Sequence, residues 1–216
     1  MAAIVAEQKA LLKRSGFRKR RHSFNRVASD GIVHVVLLWM APKEPPAWTE
    51  VPGLRERRYG SFRVDFGVYV PEMKRMGTPR SEWINEYDCH LRRTMGQLMS
   101  PGAGGDVWWQ LDRPSVASDT HRLSIEHGLP WLDRFAGRES VLDSFGREGP
   151  LSIGMSPAGS LDVADLYRAI GEHAAEETVL RDYVKEPVRA NHGPYLHDYL
   201  VRTGHADLAK QIQTHE

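Results

Sequence analysis

The stretch Ser61–Pro71, SFRVDFGVYVP, decides the fold of this chain. Apolar residues alternate in it with Arg63, Asp65, Gly67 and Tyr69. Because successive side chains of a strand point to opposite faces, this alternation predicts a β-strand with one apolar and one mixed polar face. The apolar face is expected to form the centre of a core. Its members are Phe62, Val64, Phe66, Val68 and Val70.

The sequence on the N-terminal side of this stretch predicts further strands. Phe17–Val27 is expected to be one strand, and Ser29–Gly31 is typical of a hairpin turn. Ile32–Met40 is apolar almost throughout, which indicates a central strand covered on both faces. His34 within it is predicted to be a hydrogen-bonded core histidine rather than a ligand.

Residues 88–99, DCHLRRTMGQLM, fit either a strand or a helix. We favour the strand, because Gly96 would weaken a helix. From Ser115 onward the apolar spacing becomes helical. Strands in the first half followed by helices predict an α+β fold, in which an antiparallel sheet of four to five strands is covered by helices. A helical C-terminal extension completes it.

The domain organisation is expected to have three parts. Residues 1–146 are predicted to form the α+β domain, and residues 160–216 a helical extension packed on it. Residues 147–159 are rich in Gly and Pro and are predicted to be a linker.

Composition narrows the class of protein. The chain is 41% hydrophobic and 26% charged, which is ordinary for a soluble globular protein. It has no apolar run of about 18 residues, so no membrane partner is expected. The single cysteine, Cys89, fits a reducing compartment and is predicted to be a buried, inert thiol. The expected location is the cytoplasm.

Charge is unevenly distributed along the chain. Residues 1–100 hold 18 Lys and Arg against 10 Asp and Glu, whereas residues 160–216 hold 6 against 10. Such asymmetry indicates either an anionic partner for the basic half or complementarity within the molecule. The sequence leaves both interpretations open.

Several segments resemble one known family when taken in order. They are GFRKRRHSFNR, GIVHVVLLW, FRVDFGVYVP, CHLRRTMG, the Trp108-Trp109 pair and GLPWLDRF, spread over about residues 10–146. In their order and spacing they resemble the bacterial family called domain of unknown function 4304. The resemblance implies an antiparallel α+β domain, and it implies no agreed activity, cofactor or catalytic residue.

The basic segment 18–26 supplies the first set of candidate ligand-binding residues, Arg20, Arg21, His22 and Asn25. Basic residues interleaved with phenylalanine are what phosphate contact and base stacking require. The alternative is a strand whose basic residues simply face water. A net charge of +1 argues against a typical nucleic-acid-binding domain.

The predicted sheet supplies the second set, Arg63, Asp65, His90 and Arg92. A histidine beside a carboxylate can act as general acid or base, so a hydrolase-like enzyme using His22, Asp65 and His90 is one hypothesis. The competing hypothesis is that Asp65 pairs with an arginine of a neighbouring strand and has no catalytic role.

No metal-binding motif, phosphate-binding loop or nucleophile elbow is present in the sequence, and no cofactor is predicted. The sequence therefore favours a non-enzymatic binding or protein-interaction domain. Another protein is the favoured partner, and nucleic acid is the alternative.

Overall fold

The computed structural model describes residues 2–44, 49–51, 57–74, 77–79, 81–102, 105–186, 188–189, 192–212 and 214–215. It divides the chain into two compact units. The first comprises Met1–Pro71 and Thr78–Ser156, and the second comprises Glu72–Gly77 and Pro157–Glu216. In the described ranges, no helix has both the length and the apolar character that crossing a membrane requires.

The first unit is built on an antiparallel sheet whose strands run in the order β1-β2-β3-β4-β5, with β6 paired to the start of β4. The strands are β1 (Arg18–Arg20), β2 (Ser23–Val27), β3 (Val33–Met40), β4 (Ser61–Tyr69), β5 (Leu91–Thr94) and β6 (Trp109–Gln110). The predicted α+β class and antiparallel sheet are confirmed.

Strand β4 has the apolar face that its sequence predicts. Phe62, Val64, Phe66 and Val68 are all fully buried on this face. Its other face meets Cys89 at Gly67, where a Cβ atom would lie 2.6 Å from the Cys89 sulfur. A side chain at position 67 would therefore force the segment that carries Cys89 away from the sheet.

Helices cover the apolar face of this sheet. They are α1 (Ala2–Arg14), α2 (Met95–Met99), α3 (Val116–Leu123), α4 (Leu129–Asp133), α5 (Arg138–Glu148) and α6 (Pro150–Ile153). A π-helical turn, Ser124–Gly128, joins α3 to α4. Gly128 lies directly on the ring of Phe66, where a Cβ atom would come within 2.2 Å of the ring. The close approach explains why glycine stands at this position.

Two strand predictions require correction. Phe17–Val27 is not one strand but a hairpin, because Arg21 and the residue after it form a turn between β1 and β2. Residues 88–99 are not all strand either, because β5 ends at Thr94 and α2 follows. The Thr94 hydroxyl accepts from the Gln97 amide, and the Gln97 side chain accepts from the Thr94 amide, which is a capping box.

His34 is the core histidine that the sequence predicts. Its Nε2 lies 2.9 Å from the Phe135 carbonyl oxygen, and its Nδ1 lies 2.8 Å from a guanidinium nitrogen of Arg26. Because Arg26 can only donate, Nδ1 accepts and Nε2–H donates, which is the neutral ring. Burial lowers the pKa of His34 to about 4, so the ring is uncharged at neutral pH.

The second unit is mainly helical. Its elements are α7 (Gly159–Ala169), α8 (His173–Lys185), β7 (Val188–Arg189), α9 (Gly193–Arg202), α10 (Ala206–Ala209) and β8 (Thr214–His215). Buried apolar residues from all four helices, among them Leu161, Leu180, Leu200 and Leu208, form its core. The helical C-terminal part is thus confirmed. The domain limits predicted from the sequence, and the packing of residues 160–216 on the first domain, stay predictions.

Candidate functional site

The centre of one sheet face is polar, and we call it the polar face. The register of β3, β4 and β5 places Trp39, Arg63, Asp65 and Arg92 there. Three of these were candidates from the sequence, and the sheet brings them onto one surface. The opposite face of the same strands is the apolar one, so alternation alone separates the two environments.

Asp65 is the most deeply buried charge of the polar face, with 2% of its surface exposed. Arg63 Nε donates to Asp65 Oδ2 at 3.1 Å and lies 2.9 Å from Oδ1. Arg63 also donates to Asp106 through Nη1. Burial raises the pKa of Asp65 to about 6; Arg63 opposes this shift, and the nearby Glu86 adds to it.

Arg92 forms the second ion pair of this region. Its Nε and Nη2 donate to the two carboxylate oxygens of Glu86 at 2.6 and 2.7 Å, which is the bidentate geometry of a strong charged pair. The hydrogen bonds that Arg92 donates to Glu86 raise the pKa of Arg92. Both arginines of the polar face therefore have a carboxylate partner within the protein.

Aromatic rings cover the Arg63 end of the polar face. Trp39 and Trp108 meet edge to face, with ring centroids 5.3 Å apart. The Arg63 guanidinium lies 4.8 Å from the centroid of Trp39, and the Arg58 guanidinium lies 4.7 Å from that of Trp108. These rings restrict the access of water and of ligands to Arg63.

His90 and Asn25, two further candidates, attach the segment 84–90 to the sheet. His90 Nδ1 accepts a hydrogen bond from the Val70 amide at 3.1 Å, and its ring stacks on Tyr69. Asn25 Nδ2 donates to the Ile84 carbonyl oxygen at 3.0 Å. The contacts of His90 and Asn25 therefore hold this segment in place, and none of them indicates a ligand-binding role.

Cys89 lies in the same segment. The thiol is buried, and burial raises its pKa, so it is not the reactive thiolate that nucleophilic catalysis needs.

The three residues of the hydrolase hypothesis are not brought together. His90 contacts Val70, the residue after β4, roughly 16 Å along the chain from Asp65 at about 3.3 Å per residue. His22 lies in the turn between β1 and β2 and lines a groove with Met40, a residue of the apolar face. Asp65 lies on the opposite face.

The basic edge, which we define as residues 18–22, differs from the polar face. It consists of β1 and the turn after it, and every side chain in it is exposed. None of these residues forms an ion pair with a carboxylate in the described ranges. Within the described ranges, no carboxylate thus pairs with the candidates Arg20, Arg21 and His22.

An open groove of about 840 Å³ lies where the basic edge meets α1, and we call it the N-terminal groove. Its floor is apolar. The lining residues are Ala2, Val5 and Ala6 of α1, Met40 of β3, and the basic residues Lys9, Lys19, Arg21 and His22. No carboxylate is among them, so four groups that are or can become cationic surround an apolar floor.

The turn at the rim of the groove is unusual for its sequence. Arg20 pairs with Ser23, which leaves Arg21 and His22 as a two-residue hairpin loop. Arg21 has φ of 55°, a left-handed conformation that such loops normally fill with Gly or Asn. An arginine here keeps a cation over the groove at a conformational cost of about 1 kcal/mol.

Sequence reasoning found the basic edge but missed the part of the groove that α1 contributes. Ala2, Ala6 and Lys9 are exposed although they lie on a helix whose other side is buried. The available signal was that Val5, Ala6 and Lys9 share one face at helical spacing. Nothing in the sequence indicated that this face lies beside the hairpin.

Part of the chain matches one known family. Residues 52–134 match the family described as Domain of unknown function (DUF4304), which confirms the resemblance found in the sequence. The matched span contains β4, β5 and most of the polar face, and it excludes the basic edge and α1. No curated protein and no solved structure shows significant similarity to the chain.

Proposed function

We propose that this protein is a non-enzymatic binding protein whose N-terminal groove takes an acidic, amphipathic segment of a partner protein. One observation carries the proposal: the groove combines an apolar floor with four basic residues and no carboxylate. An amphipathic helix that carries acidic residues complements both features, because its apolar side chains fill the floor while its carboxylates meet the rim.

The groove favours a polypeptide over a nucleic acid. Binding of single-stranded nucleic acid would need aromatic rings on which bases can stack. The two phenylalanines interleaved with the basic segment are not available, since Phe17 is 4% and Phe24 is 1% exposed. The cations remain, but without a stacking surface they supply only the non-specific part of nucleic-acid binding.

The polar face supports an enzyme less well. A raised pKa beside a charge partner is typical of catalytic carboxylates, and Asp65 has both. However, Asp65 is almost inaccessible, and Arg63 and Arg92 are both engaged by carboxylates. A substrate would have to displace these pairs before it could reach the carboxyl group.

Binding of a synthetic peptide tests the proposal. The probe is a fluorescein-labelled acidic helix with leucines on one face, and a scrambled peptide of the same composition serves as its control. Fluorescence anisotropy should show saturable binding of the ordered peptide and at least tenfold weaker binding of the scrambled one. A mixed-sequence oligonucleotide is titrated in parallel, and tighter binding of the oligonucleotide would overturn the proposal.

Two sets of variants make the test specific. Reversing two rim charges, Lys19→Glu with Arg21→Glu, should abolish peptide binding. Reversing two exposed lysines of the second unit, Lys185→Glu with Lys210→Glu, changes the net charge equally and should leave binding intact. Equal loss in both sets would mean that only net charge matters, which contradicts a specific groove.

Arg21→Gly separates binding from folding. Glycine suits the left-handed turn, so this variant should be more stable than the parent protein by about 1 kcal/mol. It removes one rim cation and should therefore bind the acidic peptide several-fold more weakly. Unchanged peptide binding by this more stable variant would contradict a role for Arg21 at the groove.

A further inference from the structure

A second cleft of about 900 Å³ lies on the first unit, away from the N-terminal groove. It is bounded by the end of β5, α2, the π-helical turn, α4 and the residues around α6. Its volume lies within the range of small-molecule sites, about 300–1,000 Å³. One wall of the cleft is the π-helical turn, a rare element that is frequently found at functional sites.

Arg93 is the central cation of this cleft. Its Nη2 donates to the backbone carbonyl oxygens of Leu151 and Ser152 at 2.5 and 2.9 Å. Nε and Nη1 have no hydrogen-bond partner in the described part of the chain, and no carboxylate there pairs with this guanidinium. Burial, with no carboxylate to offset it, lowers the pKa of Arg93.

The other charges on the cleft wall are already paired. Arg134 donates to Glu148 at 2.6 Å, and Glu126 accepts from Arg122 at 2.6 Å. One uncompensated cation therefore faces a wall that also carries two carboxylates. That arrangement attracts a single negative charge but repels phosphate dianions and other multiply charged groups.

The remainder of the wall is mixed and includes a set of apolar side chains, Leu98, Pro101, Pro130, Trp131 and Leu151. Leu151 is 59% exposed, so its side chain offers apolar surface to a ligand in the cleft. A ligand that fits this cleft has an apolar body and one anionic end.

We propose that this cleft binds a small organic carboxylate with an aromatic or branched aliphatic body, the carboxylate accepting a charge-assisted hydrogen bond from the Nε–H of Arg93. Nη2, on the same side of the guanidinium, stays on the two backbone carbonyls and fixes the direction in which Nε–H points. The ligand body lies against Trp131 and Leu151.

The test is a titration with simple probes, followed by ¹⁵N NMR. Benzoate and 3-phenylpropionate are the probes, benzamide is the neutral match of benzoate, and inorganic phosphate is the multiply charged match. The carboxylates should shift the Arg93 Nε–H and Trp131 Nε1–H signals saturably, and the other two should not. An equal response to benzamide, a tighter response to phosphate, or no saturable shift at Arg93 would overturn the proposal.

Variants at an exposed wall position keep the test independent of folding. Because Arg93 also holds two backbone carbonyls, Arg93→Gln changes structure as well as binding, so Leu151→Glu serves as the main variant. It adds a carboxylate to the cleft and should weaken benzoate binding about tenfold. Leu151→Gln is the matched neutral control: it removes the same apolar contact without adding charge, and it should weaken binding much less than Leu151→Glu does. Equal weakening in both would contradict an anion held by Arg93.

Discussion

The polar face and the basic edge lie on the same sheet and are both rich in arginine, yet they differ in how their charges are compensated. On the polar face, Arg63 is paired with Asp65 and Asp106, and Arg92 with Glu86. On the basic edge, residues 18–22 have no carboxylate partner within the described ranges. The arginines of the polar face are therefore neutralised within the protein, whereas the basic residues of the edge are not.

Burial explains the difference between the two regions. A charge removed from water needs a partner, because its desolvation costs several kcal/mol, whereas an exposed charge keeps its hydration. Asp65 and Glu86 are buried and thus hold their arginines in place. The basic edge has no such requirement, so its charges remain available to a partner. The predictions below test this division, beginning with the largest expected effect.

Removal of Arg63 should have the largest effect on stability. Arg63→Met leaves the buried Asp65 without its cation, and breaking one partner of a buried pair costs about 3–5 kcal/mol. Urea unfolding at pH 7 measures this loss. At pH 5 the loss should be smaller, because a protonated Asp65 needs no partner. A pH-independent loss would show that packing against Trp39, and not charge, makes Arg63 important.

The ionisation of Asp65 should appear in the pH dependence of stability. Its folded pKa of about 6 lies above the ordinary 3.8, so folding favours the protonated form. The stabilising contribution of this group is complete below pH 3.8 and is lost as pH rises through 6. Relative to Asp65→Asn, the parent protein should lose about 3 kcal/mol between about pH 3 and pH 7.

Urea unfolding of both proteins at several pH values measures this difference. Groups common to the two proteins cancel, which isolates Asp65. A difference that does not change with pH would mean that the carboxyl group titrates normally in the folded state.

Arg92 should matter less than Arg63. Its side chain is 47% exposed, so water screens the pair with Glu86 and can hydrate the carboxylate that remains. Arg92→Met is expected to cost about 1–2 kcal/mol at pH 7. In Glu86→Gln, Arg92 is left without its carboxylate. Because water can hydrate its half-exposed guanidinium, this variant should lose less stability. A larger loss of stability in Glu86→Gln than in Arg92→Met would contradict the expectation that the more buried member of the pair depends more on its partner.

Local sequence patterns predicted the fold more completely than the sites. The alternation in Ser61–Pro71 is a property of one strand, and it correctly indicated the buried apolar face of β4; that Asp65 and Tyr69 on the other face are buried as well does not follow from alternation. The break at Thr94 was missed because Gly96 was weighed as a helix breaker. The capping box of Thr94 and Gln97, a favourable signal three residues apart, was the stronger one.

The sites depend on contacts between distant segments, which no local pattern specifies. The sequence placed Arg63, Asp65 and Arg92 on the sheet and predicted that Asp65 pairs with an arginine of a neighbouring strand. Asp65 instead pairs with Arg63 of its own strand, and Arg92 pairs with Glu86 of a 3₁₀ turn. Arg93, one residue after a named candidate, points to the other face and was not singled out. Because side chains alternate along β5, Arg93 lines the second cleft and not the polar face.

Substitutions on the basic edge should have the smallest effect on stability. Arg18→Ala and Arg20→Ala each remove an exposed cation from a cluster of like charges, so the expected change is within about 0.5 kcal/mol and favours stabilisation. Added salt screens the repulsion between the cations and should reduce any gain.

Edge strands also use basic residues to prevent pairing with other molecules, so the double variant should be checked for self-association by light scattering. Loss of more than about 1 kcal/mol in either single variant would mean that the edge contributes to folding in the way the polar face does. Self-association without loss of stability would assign these two arginines to protection of the edge, while the Lys19 and Arg21 variants separately report on binding at the groove.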